Sequence, residues 1–480
     1  MSIVLNGTTG ITSPGGDTGA ADFTINGLTV GKGGGSVSTN TALGLSALAV
    51  NTSGSRNLGA GAYSLYVNTT GASNTGLGVG ALFANTTGSY NTSIGDQSLI
   101  SNTTASNNTA VGYQAGYTNS TGASNVYMGR LAGYSDTVSN NTFIGQSAGY
   151  WNQTGTYNVA LGASAYTGNI ATLASGSYNI SIGAQSLYNN STGASNTAVG
   201  HQALNANTTA SNNTAVGYQA LYSNTTGTGL VAVGHQALQS NTTGVANTAI
   251  GGSYTGFSPT ALSGNTTGSY NIAVGSGALG NQTTASNNTA VGYQSGYSIT
   301  TGTSNVCLGY GAGYNITTGF NNIIIGLNSN PNAASDTNTI VIGAAIGGKG
   351  SNTGFISPNG GGVYQGNNSS TWSTTSDQRL KKNIVDNNDG LDKITQIKVR
   401  NFEYRTADEV TDLPKEQAIN IKGVQLGPIA QELAEILPDC VKTESTGVMS
   451  VDASNITWHL INAVKELNAK VTALEAKLGA

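Results

Sequence analysis

A serine hydroxyl and a lysine amine five residues apart, Ser376 and Lys381, are the pair in this 480-residue chain best suited to covalent chemistry. A turn between them would bring the two groups together. A neutral lysine could then take the hydroxyl proton while Ser376 Oγ attacks the carbonyl of Thr375, and the Thr375–Ser376 bond would break. Arg379 and Lys382 are nearby cations that would help to keep Lys381 neutral, with Asp377 beside them. Ser376 would be its own substrate, so the event happens once per chain. The spacing by itself favours a plainer reading, a Ser N-cap opening a polar turn.

Other chemistry is sparsely provided for. Glycoside hydrolysis normally needs a pair of carboxylates, yet residues 1–375 hold only Asp17, Asp22, Asp96, Asp136 and Asp336, and no Glu. A polysaccharide-degrading body is therefore the alternative, not the leading reading. Cys307 and Cys440 lie far apart and show no zinc-like spacing, so neither a disulfide, nor a metal site, nor a cofactor is expected.

The elements that must position Ser376 change character at that residue. Only 9 of the 38 Asp, Glu, Lys and Arg residues precede it, whereas 29 lie in the last 105 residues. So sharp a shift marks a domain boundary. With 69 glycines and 8% charged residues, the body is fibrous or repetitive in composition. The net charge of −4 comes from few charges of both signs, so nucleic-acid binding is not expected. The first sixteen residues lack the charged start and apolar core of a secretory signal, and no run is apolar for about 18 residues. Folding in a cytoplasm without membrane insertion is the expectation.

From Asn40 onward a unit recurs: NTALGLSAL at Asn40, NTGLGVGAL at Asn74, NTAVGHQAL at Asn196, NTAVGYQAL at Asn213. Its glycines, among them Gly78, Gly95, Gly112, Gly200 and Gly217, are mostly 17 residues apart, a solenoid signature. The apolar residue before each glycine (Val111, Met128, Val199) is expected to point inward and the residue after it outward. Small residues four places on (Ala115, Ala132, Ala203) suit closely packed layers, and each unit should supply one or two strands of about four residues. Stacked coils place equivalent side chains about 4.8 Å apart, which penalises repeated charge and favours ladders of Asn and Thr. Asn as a plain turn residue is compatible with that. One large inward aliphatic per coil is a thin core, and three chains sharing an axis would bury more.

The period lengthens before Gly183 and before Gly275, where loops should project. Tyr150, Trp151, Tyr157, Tyr254 and Phe257 cluster there, and Trp372 lies in the segment before the boundary. They are the candidates for receptor contact; aromatics packing on their own coils are the competing reading. Beyond the boundary, residues 428–437 read as a short amphipathic helix closed by Pro438. Leu460, Val464, Leu467, Val471, Leu474 and Leu478 alternate spacings of four and three, the seam of a coiled coil over about 455–478.

Three resemblances follow. Ser376-Asp377-Gln378-Arg379-Leu380-Lys381 resembles the SDxRxK motif that opens the self-cleaving intramolecular chaperone of phage tail fibres, tailspikes and endosialidases; GVQLGPIAQEL from Gly423 and LPDCV from Leu437 resemble later segments of that family. It implies Ser376 as nucleophile, Lys381 as general base and assembly as a homotrimer. The NTAVG repeat resembles the head repeats of trimeric autotransporter adhesins, although the period here is longer. The opening residues resemble the virion end of small phage tail fibres.

The fold expected is thus mostly β: residues 1–35 a virion-attachment or capping segment, 36–346 a trimeric β-roll or β-solenoid shaft of about 17-residue repeats, 347–375 a fibre tip or linker, and 376–480 a small α+β chaperone domain ending in the coiled coil. The partners implied are two further copies of the chain, phage tail, baseplate or adaptor proteins at the N-terminus, and a host receptor of glycan or protein type. The location implied is the virion, after assembly in the host cytoplasm; a bacterial surface adhesin is the remaining alternative.

Overall fold

The computed structural model describes residues 5–6, 10–11, 23–25, 28–168, 173–252, 259–357, 363–365, 373–374, 378–413, 418–419, 421–444 and 447–479. The chain divides into two compact units, Met1–Thr375 and Ser376–Ala480.

The first unit is a β-solenoid. Each Asn-Thr-Ala-Val-Gly phrase places β-branched residues around a small one and forms a strand of three residues, such as Thr197–Val199. Its residues pair in parallel with those one coil on: Thr197 with Thr214, Ala198 with Ala215, Val199 with Val216. Strands follow in this way from Thr41–Leu43 to Ile340–Gly343, one per coil and not the one or two of about four residues anticipated. The glycine that closes each strand is required by two constraints. Gly200 holds φ at +136°, and a Cβ there would strike the backbone of Gly217 in the next coil.

The interior corrects the inward and outward assignment. The middle strand residue, Ala198 or Ala215, is fully buried, whereas the apolar residue before the glycine faces out, with Met128 42% and Leu161 44% exposed. Alternation along a three-residue strand puts its two ends on one side and its centre on the other. The large inward aliphatic is instead the leucine after the small residue, as in Ala203–Leu204 and Ala220–Leu221, all buried. Leu204 pays for its place with φ at +50°. That left-handed conformation costs about 1–2 kcal/mol, and burying a leucine side chain returns about 1.5–3 kcal/mol.

Where the strand centre is large, the leucine is replaced. Phe143 is buried, and the equivalent of Leu204 in its coil is Gly149, whose added Cβ would collide with the Phe143 ring. The volume inside each coil is thus held roughly constant.

Two buried Asn columns run through the coils. In one, the backbone N–H of Asn57 donates to Asn40 Oδ1 at 2.9 Å, and Asn74 does the same to Asn57. In the other, Asn68 Nδ2 donates to Asn51 Oδ1 at 2.8 Å and Asn85 Nδ2 to Asn68 Oδ1 at 2.7 Å. Each of these amides also donates to a carbonyl three residues on, as Asn68 does to Gly71, so ladder and turn are made by the same side chain. Asp136 interrupts the second column. Its carboxylate accepts from Tyr127 Oη at 2.8 Å and from Asn152 Nδ2 at 3.0 Å, and burial raises its pKa to about 7 despite those bonds.

Both sheet ends are covered. The hairpin of Phe23–Ile25 and Leu28–Gly31 pairs antiparallel with the first coil, Val30 against Leu43. At the other end Gly354–Ser357 continues the parallel run, and Val363–Gln365 and Ser373–Thr374 add antiparallel strands. Solenoid edges left open would be templates for further pairing.

Among its described residues the second unit holds three α-helices, α1 (Leu391–Ile394), α2 (Ala430–Ala434) and α3 (Ala453–Leu478), and two small antiparallel pairs, Arg400–Phe402 with Gln425–Gly427 and Val441–Thr443 with Met449–Val451. The helix read over 428–437 is shorter than that, because Pro438 begins a separate 3-10 turn, Pro438–Cys440. Leu433, Leu437 and Cys440 form its core with Ile397, Ile436, Val441, Val451 and Ile456. Among the described residues no helix is long and apolar enough to cross a membrane.

Candidate scission site and the C-terminal unit

Ser373–Thr374 is the last strand of the first unit, Thr374 lying opposite Val363. Thr375, Ser376 and Asp377 lie outside the described residues, so the Ser376–Lys381 approach does too. The chain beyond them turns once: Gln378–Leu380 is a 3-10 helix, and the Lys381 N–H donates to the Gln378 carbonyl at 3.1 Å. A turn of that kind is what a serine and a lysine five residues apart need in order to meet. Arg379, Lys381 and Lys382 are all solvent-exposed in the protomer.

Helix α3 is started by its cap. Asp452 accepts from the N–H groups of Ser454 at 2.9 Å and Asn455 at 3.4 Å, two of the donors that a helix N-terminus leaves without partners. One face of the helix docks on its own unit through buried His459 and Ala463. Polar bonds fix that docking: Asn455 Nδ2 to the Asp439 carbonyl at 2.8 Å, Asn462 Nδ2 to the Asn387 carbonyl at 2.7 Å, and the Leu391 N–H to Glu466 Oε2 at 3.1 Å. The other face carries Leu460, Val464, Leu467, Val471, Leu474 and Leu478, all exposed.

His459 is the residue that sequence reasoning missed. Its Nδ1 lies 3.0 Å from the Asp389 carbonyl oxygen and its Nε2 3.0 Å from Asp439 Oδ2. Burial works against its charge, but the hydrogen bonds to Asp439 and Asp389 and the charges of both carboxylates outweigh it and raise its pKa. Cys440 adjoins this pair, and burial, with Asp439 next to it, pushes its thiol up to about 11. Asp439, Cys440 and His459 converge, each offering one ligand-type atom within 4.8 Å of the others. No signal in the sequence pointed to the meeting, because Asp439 and His459 are separated by 20 aperiodic residues.

The candidate receptor aromatics are divided. Tyr150 stacks on Tyr134 at 5.0 Å, Tyr134 on Tyr117 at 4.9 Å, and Trp151 packs edge-on against Tyr150 at 4.5 Å. Tyr157 stacks on Tyr178 at 5.3 Å. Tyr150 and Tyr157 thus each spend one ring face on a neighbouring coil, while Tyr157 remains 53% exposed. Tyr254, Phe257 and Trp372 lie outside the described residues. A further column, His201, Tyr218 and His235, stacks at 5.6 and 5.2 Å from the positions just after the repeat glycines. Its 17-residue spacing was visible in the sequence. As for carboxylates, Asp136 is buried within the solenoid and Asp336 nearly so, several coils apart.

Comparison with known families finds one match: residues 376–442 fit the model described as chaperone of endosialidase. No curated protein and no solved structure matches the chain. The match starts at Ser376, where the second compact unit starts, and ends before α3. The chain therefore joins a β-solenoid of about 17-residue repeats to a segment similar to the chaperone of endosialidase, an arrangement consistent with a tail fibre or tailspike.

Proposed function

We propose that this chain is a phage tail-fibre or tailspike-like protein: a homotrimeric adhesion device, joined to the virion by its N-terminal segment and directed at a host-surface receptor. Its C-terminal unit aligns three chains and is then cut off between Thr375 and Ser376. The observation that carries this reading is the coincidence at Ser376 of the composition break, the start of the second compact unit and the start of the chaperone match.

Two exposed apolar features support three chains. Along the shaft, the pre-glycine positions form an outward aliphatic column, with Leu43, Met128, Leu161, Val216, Ile250 and Val291 among its exposed members. A continuous apolar stripe of that length is characteristic of an association surface. The α3 seam is the second, since its six apolar side chains at coiled-coil spacing are exposed in the protomer. Lys381 is exposed in the protomer, so its use as a neutral base requires covering by partner chains, which would make scission follow assembly.

The test is full-length expression of wild type beside Ser376→Ala, followed by denaturing electrophoresis and sedimentation. Wild type should yield a product of about 105 residues, the length of the second unit, which is missing from the variant, and the variant should sediment as a trimer. An intact wild-type chain after folding overturns scission; a monomeric variant overturns the trimer.

A further inference from the structure

We propose that Asp439, Cys440 and His459 form a zinc site that staples the C-terminal helix α3 to the body of its unit. Asp439 and Cys440 close the 3-10 turn Pro438–Cys440, and His459 stands in the second turn of α3. One carboxylate oxygen, the thiol sulfur and one imidazole nitrogen all lie within 4.8 Å of one another. Asp439 Oδ2 is 3.0 Å from His459 Nε2, and Asp439 Oδ1 is 3.9 Å from Cys440 Sγ. Tetrahedral zinc, with bonds of about 2.0–2.3 Å, separates its ligand atoms by about 3.3–3.6 Å.

The donor set selects the metal. A thiolate and an imidazole suit zinc, whereas calcium and magnesium take oxygen ligands. The imidazole is also oriented as zinc-bound histidines are: with its Nδ1–H donating to the Asp389 carbonyl, Nε2 is left to face Asp439. The pocket against this face, about 200 Å³ and lined by Asn387, Asp439, Asn455, Trp458, His459 and Asn462, is wide enough for a water molecule to take the fourth position. His459 is only 4% exposed while the Asp439 side chain is 54% exposed, so the metal would enter from the Asp439 side. Binding displaces the Cys440 proton and any proton on Nε2 into solvent.

Without zinc the same residues hold a histidine–carboxylate contact beside a buried thiol, so metal binding itself decides the matter. The test uses the full-length Ser376→Ala chain, which keeps the unit attached whether or not wild type is cut. After chelator treatment and equilibrium dialysis against zinc chloride, about one zinc per chain is expected, together with a higher unfolding temperature for the C-terminal unit. Cys440→Ser and His459→Gln, each in that background, should bind at least tenfold more weakly, and Cys307→Ser should bind as the parent does. Cobalt(II) in place of zinc should produce a thiolate-to-metal charge-transfer band, a readout that stands even if a variant fails to fold. No zinc retained by the parent chain, or cobalt bound without that band, overturns the proposal; zinc held equally by Cys440→Ser overturns it as well.

Discussion

In the shaft, Asn68 bonds to Asn51 seventeen residues away, and the same bond recurs from Asn85 to Asn68 and from Asn102 to Asn85. In the C-terminal unit, His459 reaches the Asp389 carbonyl seventy residues back by a bond that is not part of a repeat. The difference concerns register. A sheet made of identical coils loses little if one copy slides by a whole coil, since Thr, Ala and Val meet Thr, Ala and Val again. Aperiodic contacts such as those of Asp389, Asp439 and Leu391 with α3 are satisfied in one arrangement only. In the proposed reading, a repeat that cannot choose its own alignment is joined to a unit that would choose it, and slow non-local pairing in the shaft is what such a guide would relieve.

Breaking the guide should have the largest effect. Replacing Leu460, Leu467 and Leu474 together by Asp should abolish the trimer in sedimentation of the Ser376→Ala chain. The fold of the C-terminal unit by circular dichroism should be retained, because these side chains are exposed in the protomer. A trimer that survives would shift the aligning role to the shaft.

Next in size is Asp136, the one acid in the buried amide column. Its folded pKa, about 7, lies above the ordinary carboxylate value of 3.8. Its contribution is thus most favourable below about pH 4 and is lost as pH rises through about 7, up to roughly 4 kcal/mol for a shift of about three units. Asp136→Asn, which restores the ladder residue, should raise the shaft unfolding temperature at pH 8, and the gain should disappear near pH 4. A gain that is the same at both pH values would mean the acid is not the cause.

The exchange of Phe143 for leucine volume is sharper and smaller. Gly149→Leu should cost about 2–3 kcal/mol through the collision with the Phe143 ring. Adding Phe143→Ala rebuilds the Ala-and-Leu arrangement of the Ala198 coil and should recover most of that loss in thermal melts. At the small end is Glu432→Gln, which removes the paired bonds from Arg400 at 2.8 and 3.2 Å. Arg400 holds the Glu432 carboxylate below its usual pKa, but both side chains are open to water, so no measurable change in melting is expected.

Much of the shaft could be read from residues alone because its rules are local. Gly200 and Gly217 mark the period, the Asn at each phrase start forms the ladder, and the small residues Ala115, Ala132 and Ala203 are buried. The inward face was misassigned for a physical reason: Val199 is larger than Ala198, and size suggests burial. Where Leu204 or an equivalent leucine already fills the coil interior, the strand centre is small (Ala198, Ser93, Ser181 or Gly76) and the valines are turned out. In the second unit the apolar spacing of α3 was legible, but not the docking of its other face by His459 and Ala463.

By itself, the sequence determined the period, the ladders, the division at Ser376 and the long terminal helix, since each depends on residues near in the chain or on repetition. Tertiary structure alone decided which strand residues line the interior, because that depends on the volume the neighbouring turn already occupies. It alone brought His459 to Asp439 and Cys440, because that meeting depends on how α3 packs across the 3-10 turn and not on any spacing along the chain.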